Sequence, residues 1–326
     1  AIGRLAFSAS TDGADNIAIG RSALAVSGND GDKNIAIGLT AMGGSDVSGA
    51  DNIAIGQTAM DALTSGACNI AMGKNAMGAS TTTSNSIALG QNALGDAITT
   101  GVNNIAIGCG VAADITSGAV NIAMGEGAYR TATTGCYNIA IGGGALATGV
   151  TTGNANIAVG LNTMDALTSG ICNVALGANA LGASTTGCQN VAIGNLSSGG
   201  CTLTGTNNVT VGYGGGFHLT SGEYNTFLGY QTGGKTTTGS GNIGIGTNAG
   251  CSTTTQGCTI NIGNGMQTTT ASTTCIGGAC LMSACFVETS DCRSKCKIKD
   301  LPYGLNFINL LRPVSYKWKP QPDKLD

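Results

Sequence analysis

The string Asn16-Ile17-Ala18-Ile19-Gly20 alternates large and small apolar side chains, and it returns again and again along the chain. A period of two is the mark of a strand, which throws successive side chains to opposite faces. Ile17 and Ile19 share one face and Ala18 takes the other. Gly20 closes the strand, where the backbone needs a positive φ or has no room for a Cβ. Three residues further on stands a small apolar residue, alanine in nine copies (Ala23, Ala41, Ala59, Ala76, Ala93, Ala128, Ala145, Ala180 and Ala249), often followed by Leu or Met. This reads as a second short strand or a bend. A Ser/Thr/Gly/Asp loop of varying sequence completes the unit.

The spacing fixes the architecture. From Gly38 to Gly246 the closing glycines step by 18, 17 and 17 residues, four times over, a superperiod of 52. Thr-Ser-Gly at Thr64, Thr116, Thr168 and Thr220 keeps the same interval. Ser86 and Thr259 stand where the other copies have Asn. A rung of 17 or 18 residues has no core of its own and must stack on its neighbours. The expected fold is all-β, a parallel β-roll or β-solenoid over residues 1–265. A transition segment over 266–289 and a short C-terminal α+β segment over 290–326 follow. Stacking is expected to bury the Ile face, and the repeated Asn to form an amide ladder. The Ala face, narrow enough for close approach, or the small loops are expected to meet partner chains around a common axis. Sixteen or so rungs at about 4.8 Å give a rod on the order of 75 Å. Ala1-Ile2-Gly3 already reads as the end of a repeat, so the natural N-terminus is expected upstream.

Composition narrows the function. The 326 residues include 55 Gly, 10% charged residues, 4% aromatics, one His and one Trp. Net charge −3 gives no basic surface for nucleic acid. His218 alone builds neither His-based catalysis nor a His-rich metal site. Glycine lacks the strict three-residue period of collagen, and 42% apolar residues with little charge is the reverse of the signature of disorder. No apolar run reaches 18 residues, so no membrane-spanning helix is expected. Residues 1–288 hold 6 Lys+Arg against 13 Asp+Glu, whereas 289–326 hold 8 against 4, with all four prolines and the only tryptophan. The absence of proline before Pro302 suits uninterrupted ladders, and the shift near Glu288 marks a boundary.

The Asn-Ile-Ala-Ile-Gly-x-x-Ala pattern resembles the parallel β-roll repeats of trimeric adhesin heads and is similar to the repetitive shafts of phage and large-virus fibres. It covers roughly residues 1–265, although the unit is longer than the adhesin-head repeat. Ser290 to Lys319 resembles the start of the intramolecular chaperone domain that ends phage tail spikes, tail fibres and endosialidases. Ser290, Asp291, Arg293, Lys295, Ile298, Gly304-Leu305, Leu311, Pro313-Val314, Tyr316 and Trp318 carry that resemblance. Ser294 replaces the usual aliphatic residue, and the family's domain continues past the length present here.

The resemblance implies a homotrimer at a virion surface, in contact with other fibre proteins and with a host receptor or glycan. It also implies self-cleavage at Ser290-Asp291 by a Ser290/Lys295 dyad, with Asp291 and Arg293 holding the geometry. Lys295, with its pKa lowered by burial, would take the serine proton. No substrate-directed activity, cofactor or metal is expected. Asn29, Asp30 and Asp32 imitate a calcium loop without the Gly-Gly-x-Gly-x-Asp array that such sites use.

Other readings fit less well. A bacterial trimeric surface adhesin would need a membrane anchor in place of Ser290 to Lys319. An ice-binding solenoid would need Thr at one fixed position in every rung, and the Thr runs lie in variable loops. A glycan-cleaving spike would need clustered carboxylates, and the acids are scattered. The 13 cysteines include no CxxC pair; they read as small buried hydrophobes, with disulfides between loops or chains as the alternative for some. His218, near Tyr213, Phe217, Tyr224 and Tyr230, reads as local packing or as a glycan-binding patch.

Overall fold

The computed structural model describes residues 1–9, 12–26, 30–252 and 254–277, and the backbone of 279–281. Each rung contributes one three-residue strand. Sixteen of them, from β1 (Ile17–Ile19) to β16 (Thr274–Ile276), pair in parallel with the next rung in sequence, Ile17 against Ile35 and Ile35 against Ile53. The result is a parallel β-solenoid of about fifteen turns, with no helix among the described residues. Ile2 forms an isolated parallel bridge to Ile19. The parallel ladder continues into β16, within the stretch read as the transition segment. There β17 (Ala279–Leu281) turns back antiparallel to it.

The strands are the shortest part of the ladder. Backbone hydrogen bonds between rungs continue around the turn (Leu24 N–H to Ala41 O, 3.1 Å; Met42 N–H to Ala59 O, 2.9 Å) and along the loop side (Thr64 N–H to Thr81 O, 2.8 Å; Thr168 N–H to Thr185 O, 2.9 Å). The segment after the closing glycine is a turn, not a second strand. Positive φ recurs at the residues two and four beyond that glycine, as at Ser22 and Leu24 or Thr40 and Met42, and at the residue before the Asn, as at Asp51, Val120 and Tyr137. A left-handed residue costs a non-glycine side chain roughly 1–2 kcal/mol. The rungs bear this at every turn, because the inter-rung bonds and the burial of the fourth residue hold it in place.

The strand faces are the reverse of the sequence expectation. The central alanine of the first eleven rungs points inward and is buried (Ala18, Ala36, Ala54, Ala71 and onward), whereas the flanking Ile, Val, Leu and Met side chains are half-buried or exposed. The Ala face therefore does not meet partner chains, and stacking does not bury the Ile face. The reason lies in the turn. Leu24, Met42, Met60, Met77, Leu94 and Leu146, four residues past their closing glycines, are fully buried and fill the interior. Only a methyl fits beneath the strand.

Five rungs at the C-terminal end depart from this filling. The inward position is Thr210 in β12 (Val209–Val211), Phe227 in β13 (Thr226–Leu228), Gly244 in β14 (Ile243–Ile245), Asn261 in β15 (Ile260–Ile262) and Cys275 in β16. Phe227 is accommodated because the Leu/Met position of its own rung is Gly233, where an added Cβ would lie 2.5 Å from the phenyl ring. Gly244 above leaves a further gap: a Cβ there would lie 3.1 Å from the ring. Volume is exchanged between positions and the core stays filled.

The Asn ladder is present and buried. In the copy at Asn173, the amide donates to Asn156 Oδ1 (3.0 Å) and to Gly187 O of the next rung (2.7 Å), and Oδ1 accepts the Asn190 N–H (3.0 Å). Gly187 lies three residues before Asn190, and the same Gly-x-x-Asn spacing accompanies all thirteen Asn copies. A Cβ at this glycine would strike the next rung's backbone and crowd its own asparagine, as at Gly31, 2.1 Å from Gly49 O and 2.9 Å from Asn34 Nδ2. The two copies lacking Asn also lack the glycine, carrying Thr83 with Ser86 and Gln256 with Thr259. There Thr83 Oγ1 donates to Gly101 O (2.6 Å), the bond an asparagine amide would make, and Ser86 Oγ accepts the Asn104 N–H (3.1 Å).

Candidate functional site

Two surfaces stand out on the solenoid. The first is the outward face of the ladder. Ile17 is 46% exposed, Met72 44% and Ile276 45%, and Ile141, Ile193, Ile243 and Ile245 are exposed to a similar degree. Because the strands stack in register, these side chains form two parallel columns along the ladder, apolar except at Thr226 and Thr274. Contiguous apolar surface on this scale marks an interaction face.

The second is a cavity of about 320 Å³ on the turn side, across the rungs that close at Gly194, Gly212, Gly229 and Gly246. Tyr213 and Tyr230 occupy the same position in successive rungs and stack, with centroids 5.4 Å apart and planes at 11°. Phe217 meets His218 edge to face, 5.0 Å between centroids. His218 Nδ1 lies 3.7 Å from Cys201 Sγ. Tyr224, grouped with these residues from sequence, does not line the cavity. It projects from the corner before Asn225 and is 64% exposed.

A wider depression is bordered by Asp114, Glu126 and Arg130. This grouping was not legible along the chain, because the residues are brought together by stacking rather than by spacing. Two groups elsewhere are tuned by burial. Desolvation raises the Asp61 carboxyl above its ordinary 3.8, partly offset by the Gly43 and Gly44 amides. Desolvation likewise raises the Tyr129 hydroxyl, which accepts from Asn138 Nδ2 at 2.7 Å and donates to Gly135 O.

Among the described residues, the cysteines before β16 are not buried hydrophobes of the roll. Cys68, Cys109, Cys172 and Cys258 are exposed and free, and Cys136, Cys188, Cys201 and Cys251 are half-exposed and free. Cys68, Cys172 and Cys258 fill the left-handed corner before the ladder position, which points away from the core. Cys275, inside β16, is buried and disulfide-bonded. Asp32 of the calcium-like stretch accepts the Ala14 N–H (2.7 Å), a loop contact. Among the described residues no three His, Cys, Asp or Glu side chains gather as a metal site would require. The dyad Ser290 and Lys295, with Asp291 and Arg293, lies outside the described residues.

The repeats thus define a parallel β-solenoid with an outward apolar face. In the C-terminal segment, residues 290–326 match the family described as the chaperone of endosialidase, peptidase S74. No curated protein matches the chain.

Proposed function

We propose that this chain is the shaft of a homotrimeric virion fibre that contributes to host-cell attachment from the virion surface. Residues 1–265 form the shaft, 266–289 the transition and 290–326 the start of an intramolecular chaperone. The observation that carries the reading is the outward Ile face. Three residues at about 3.3 Å by sixteen rungs at about 4.8 Å give roughly 750 Å² of flat apolar surface. A stable protein interface takes about 800 Å² from each partner. Copies of the same chain offer the same columns at the same spacing, which makes them the natural occupants of that face.

A repetitive face brings its own difficulty. Identical rungs pair in many registers, and a slip by one rung costs little at any single contact. A C-terminal trimerisation module that fixes register before the shaft zips answers that need, and the chaperone match at 290–326 supports its presence. In this reading Lys295 accepts the proton of Ser290 Oγ, Asp291 and Arg293 hold the pair, and the Ser290–Asp291 peptide bond is hydrolysed with one water consumed. Other fibre proteins and a host receptor or glycan are the remaining partners.

The denatured intact mass of the natural full-length product, beside a Ser290→Ala version, tests the processing step. The wild type is expected to lose everything from Asp291 onward and the variant to stay whole. If both stay whole, the dyad falls and the segment is a retained clamp.

A further inference from the structure

We propose that Tyr137 and Tyr224 of one chain seat in two depressions on the turn side of the next copy, and that this pairing sets the register of the shaft. The inference rests on the homotrimer reading and adds the contact that holds three repetitive chains level.

The tyrosines supply the projecting half. The column directly before the ladder position has a left-handed backbone, which suits the Asp51, Asn85, Asn103 and Gly241 found there. Tyr137 and Tyr224 are its two aromatic residues, at φ 59° and 57°, and each is 64% exposed. Their rings stand out from the corner and add nothing to the core of their own chain. A tyrosine is a rigid anchor with two side-chain torsions, and tyrosines are enriched among the residues that dominate interfaces.

The depressions supply the receiving half. One is lined by Gly127, Arg130, Gly143 and Gly144 among others, the second by Gly214, Gln231, Gly234 and Lys235 among others. Their volumes are about 740 and 320 Å³, enough for a phenol ring. Glycine keeps both open: a Cβ at Gly127 would meet nothing within 4 Å, and one at Gly214 would meet Gln231 at 3.6 Å. Each lining includes one cation, Arg130 or Lys235, and a cation beside an aromatic face is attractive.

The two halves share one spacing. Tyr137 and Tyr224 are 87 residues apart, and so are Gly127 and Gly214. The first depression crosses the rungs closing at Gly108, Gly125, Gly142 and Gly160, the second those closing at Gly194, Gly212, Gly229 and Gly246. Tyr137 belongs to the rung closing at Gly142 and Tyr224 to the rung closing at Gly229, the third of four in both cases. The corner and the turn are the two edges of the Ile face. In a cyclic ring the contact is heterologous, so one edge of each chain meets the opposite edge of the next. Around an axis along the shaft, equivalent rungs lie at equal height. Both tyrosines then face their depressions at the same offset. A slip by one rung brings Tyr137 opposite Glu126 or Leu161 and Tyr224 opposite Tyr213 or Asn248, and both seats are lost together.

Photo-cross-linking of the natural full-length product tests the pairing, with Tyr137 replaced by p-benzoylphenylalanine. Irradiation is expected to join chains, with the linked peptide at residues 126–131 or 143–148 of the neighbour. Tyr137→Ala empties the seat, and Gly143→Leu fills the depression. A Cβ at Gly143 would come no closer than 3.5 Å to any neighbour, at Leu161 Cδ1, so the chain keeps its fold. Each variant should keep its circular dichroism and speed subunit exchange by about tenfold or more. The double variant should exchange little faster than either single, because both remove one contact. Additive effects in the double variant overturn the pairing. A trimer whose cross-links map to other rungs, or whose exchange ignores both variants, refutes this inference and leaves the fibre reading standing. A product that sediments at one chain mass and forms no chain-to-chain cross-link overturns both.

Discussion

At the scale of single residues, the asparagine ladder carries the largest local stake. Each buried amide serves a carbonyl and an N–H of the next rung and leaves both unsatisfied when it is removed. Asn173→Ala strips Gly187 O of its donor and the Asn190 N–H of its acceptor. A buried orphan costs about 1–3 kcal/mol, so a local loss of about 2–6 kcal/mol is expected from the two, read as faster hydrogen exchange at the Asn190 amide. The Thr83–Ser86 pair gives a sharper test, since it replaces glycine and asparagine together. Ser86→Asn alone crowds its amide against the Thr83 side chain, and Thr83→Gly alone deprives Gly101 O of its donor. The double variant restores the standard ladder. The singles should destabilise and the double recover, with a coupling of about 0.5–3 kcal/mol in a double-mutant cycle. This rule was legible in the sequence, because glycine stands three residues before every Asn copy and before neither exception. Seeing why needed the structure, since the clash runs to the next rung.

At the scale of the rung, the strand, its closing glycine and its period were readable from the chain alone. The direction of the strand was not. Both faces of Ile-Ala-Ile are apolar, so hydrophobic alternation carries no sign for inside and outside. The sign is set by the Leu or Met four residues past the glycine, which fills the interior and leaves space for a methyl only. The rung around Phe227 is the test of that filling. Phe227→Ala should cost about 3–5 kcal/mol, as for other buried aromatics cut back to alanine. Adding Gly233→Leu, which returns the usual filling from the turn side, should recover most of the loss in urea unfolding. If Gly233→Leu instead deepens the loss in the Phe227→Ala background, the volume exchange is wrong. The cysteines were misread for a related reason. Their spacing marked them as copies of loop positions, but the spacing does not say that the corner before the Asn points outward.

At the scale of the whole molecule, the solenoid has a wide apolar side that none of the other described residues covers. The composition, with few charges, few aromatics and one histidine, argued against nucleic-acid binding and His-based chemistry. The cavity was visible in sequence only as a local richness in aromatics; the stacking of successive rungs is what brings Tyr213, Phe217, Gln231 and Lys235 to one place. The outward Ile columns give the fibre reading its physical basis, because a face this long and regular is matched by another copy of itself. Placing charges on that face separates association from folding. Ile105→Glu together with Ile139→Glu leaves the buried Ala106 and Ala140 untouched and puts two carboxylates into the columns. The double variant is expected to stay folded by circular dichroism and to dissociate.

The most direct measurement is therefore sedimentation equilibrium of the natural full-length product, with the chain mass taken from denaturing mass spectrometry of the same sample. The account predicts three times that chain mass for the wild type, and one chain mass for the Ile105→Glu/Ile139→Glu variant. A wild type that sediments as a compact monomer, with its Ile columns left in water, would contradict it.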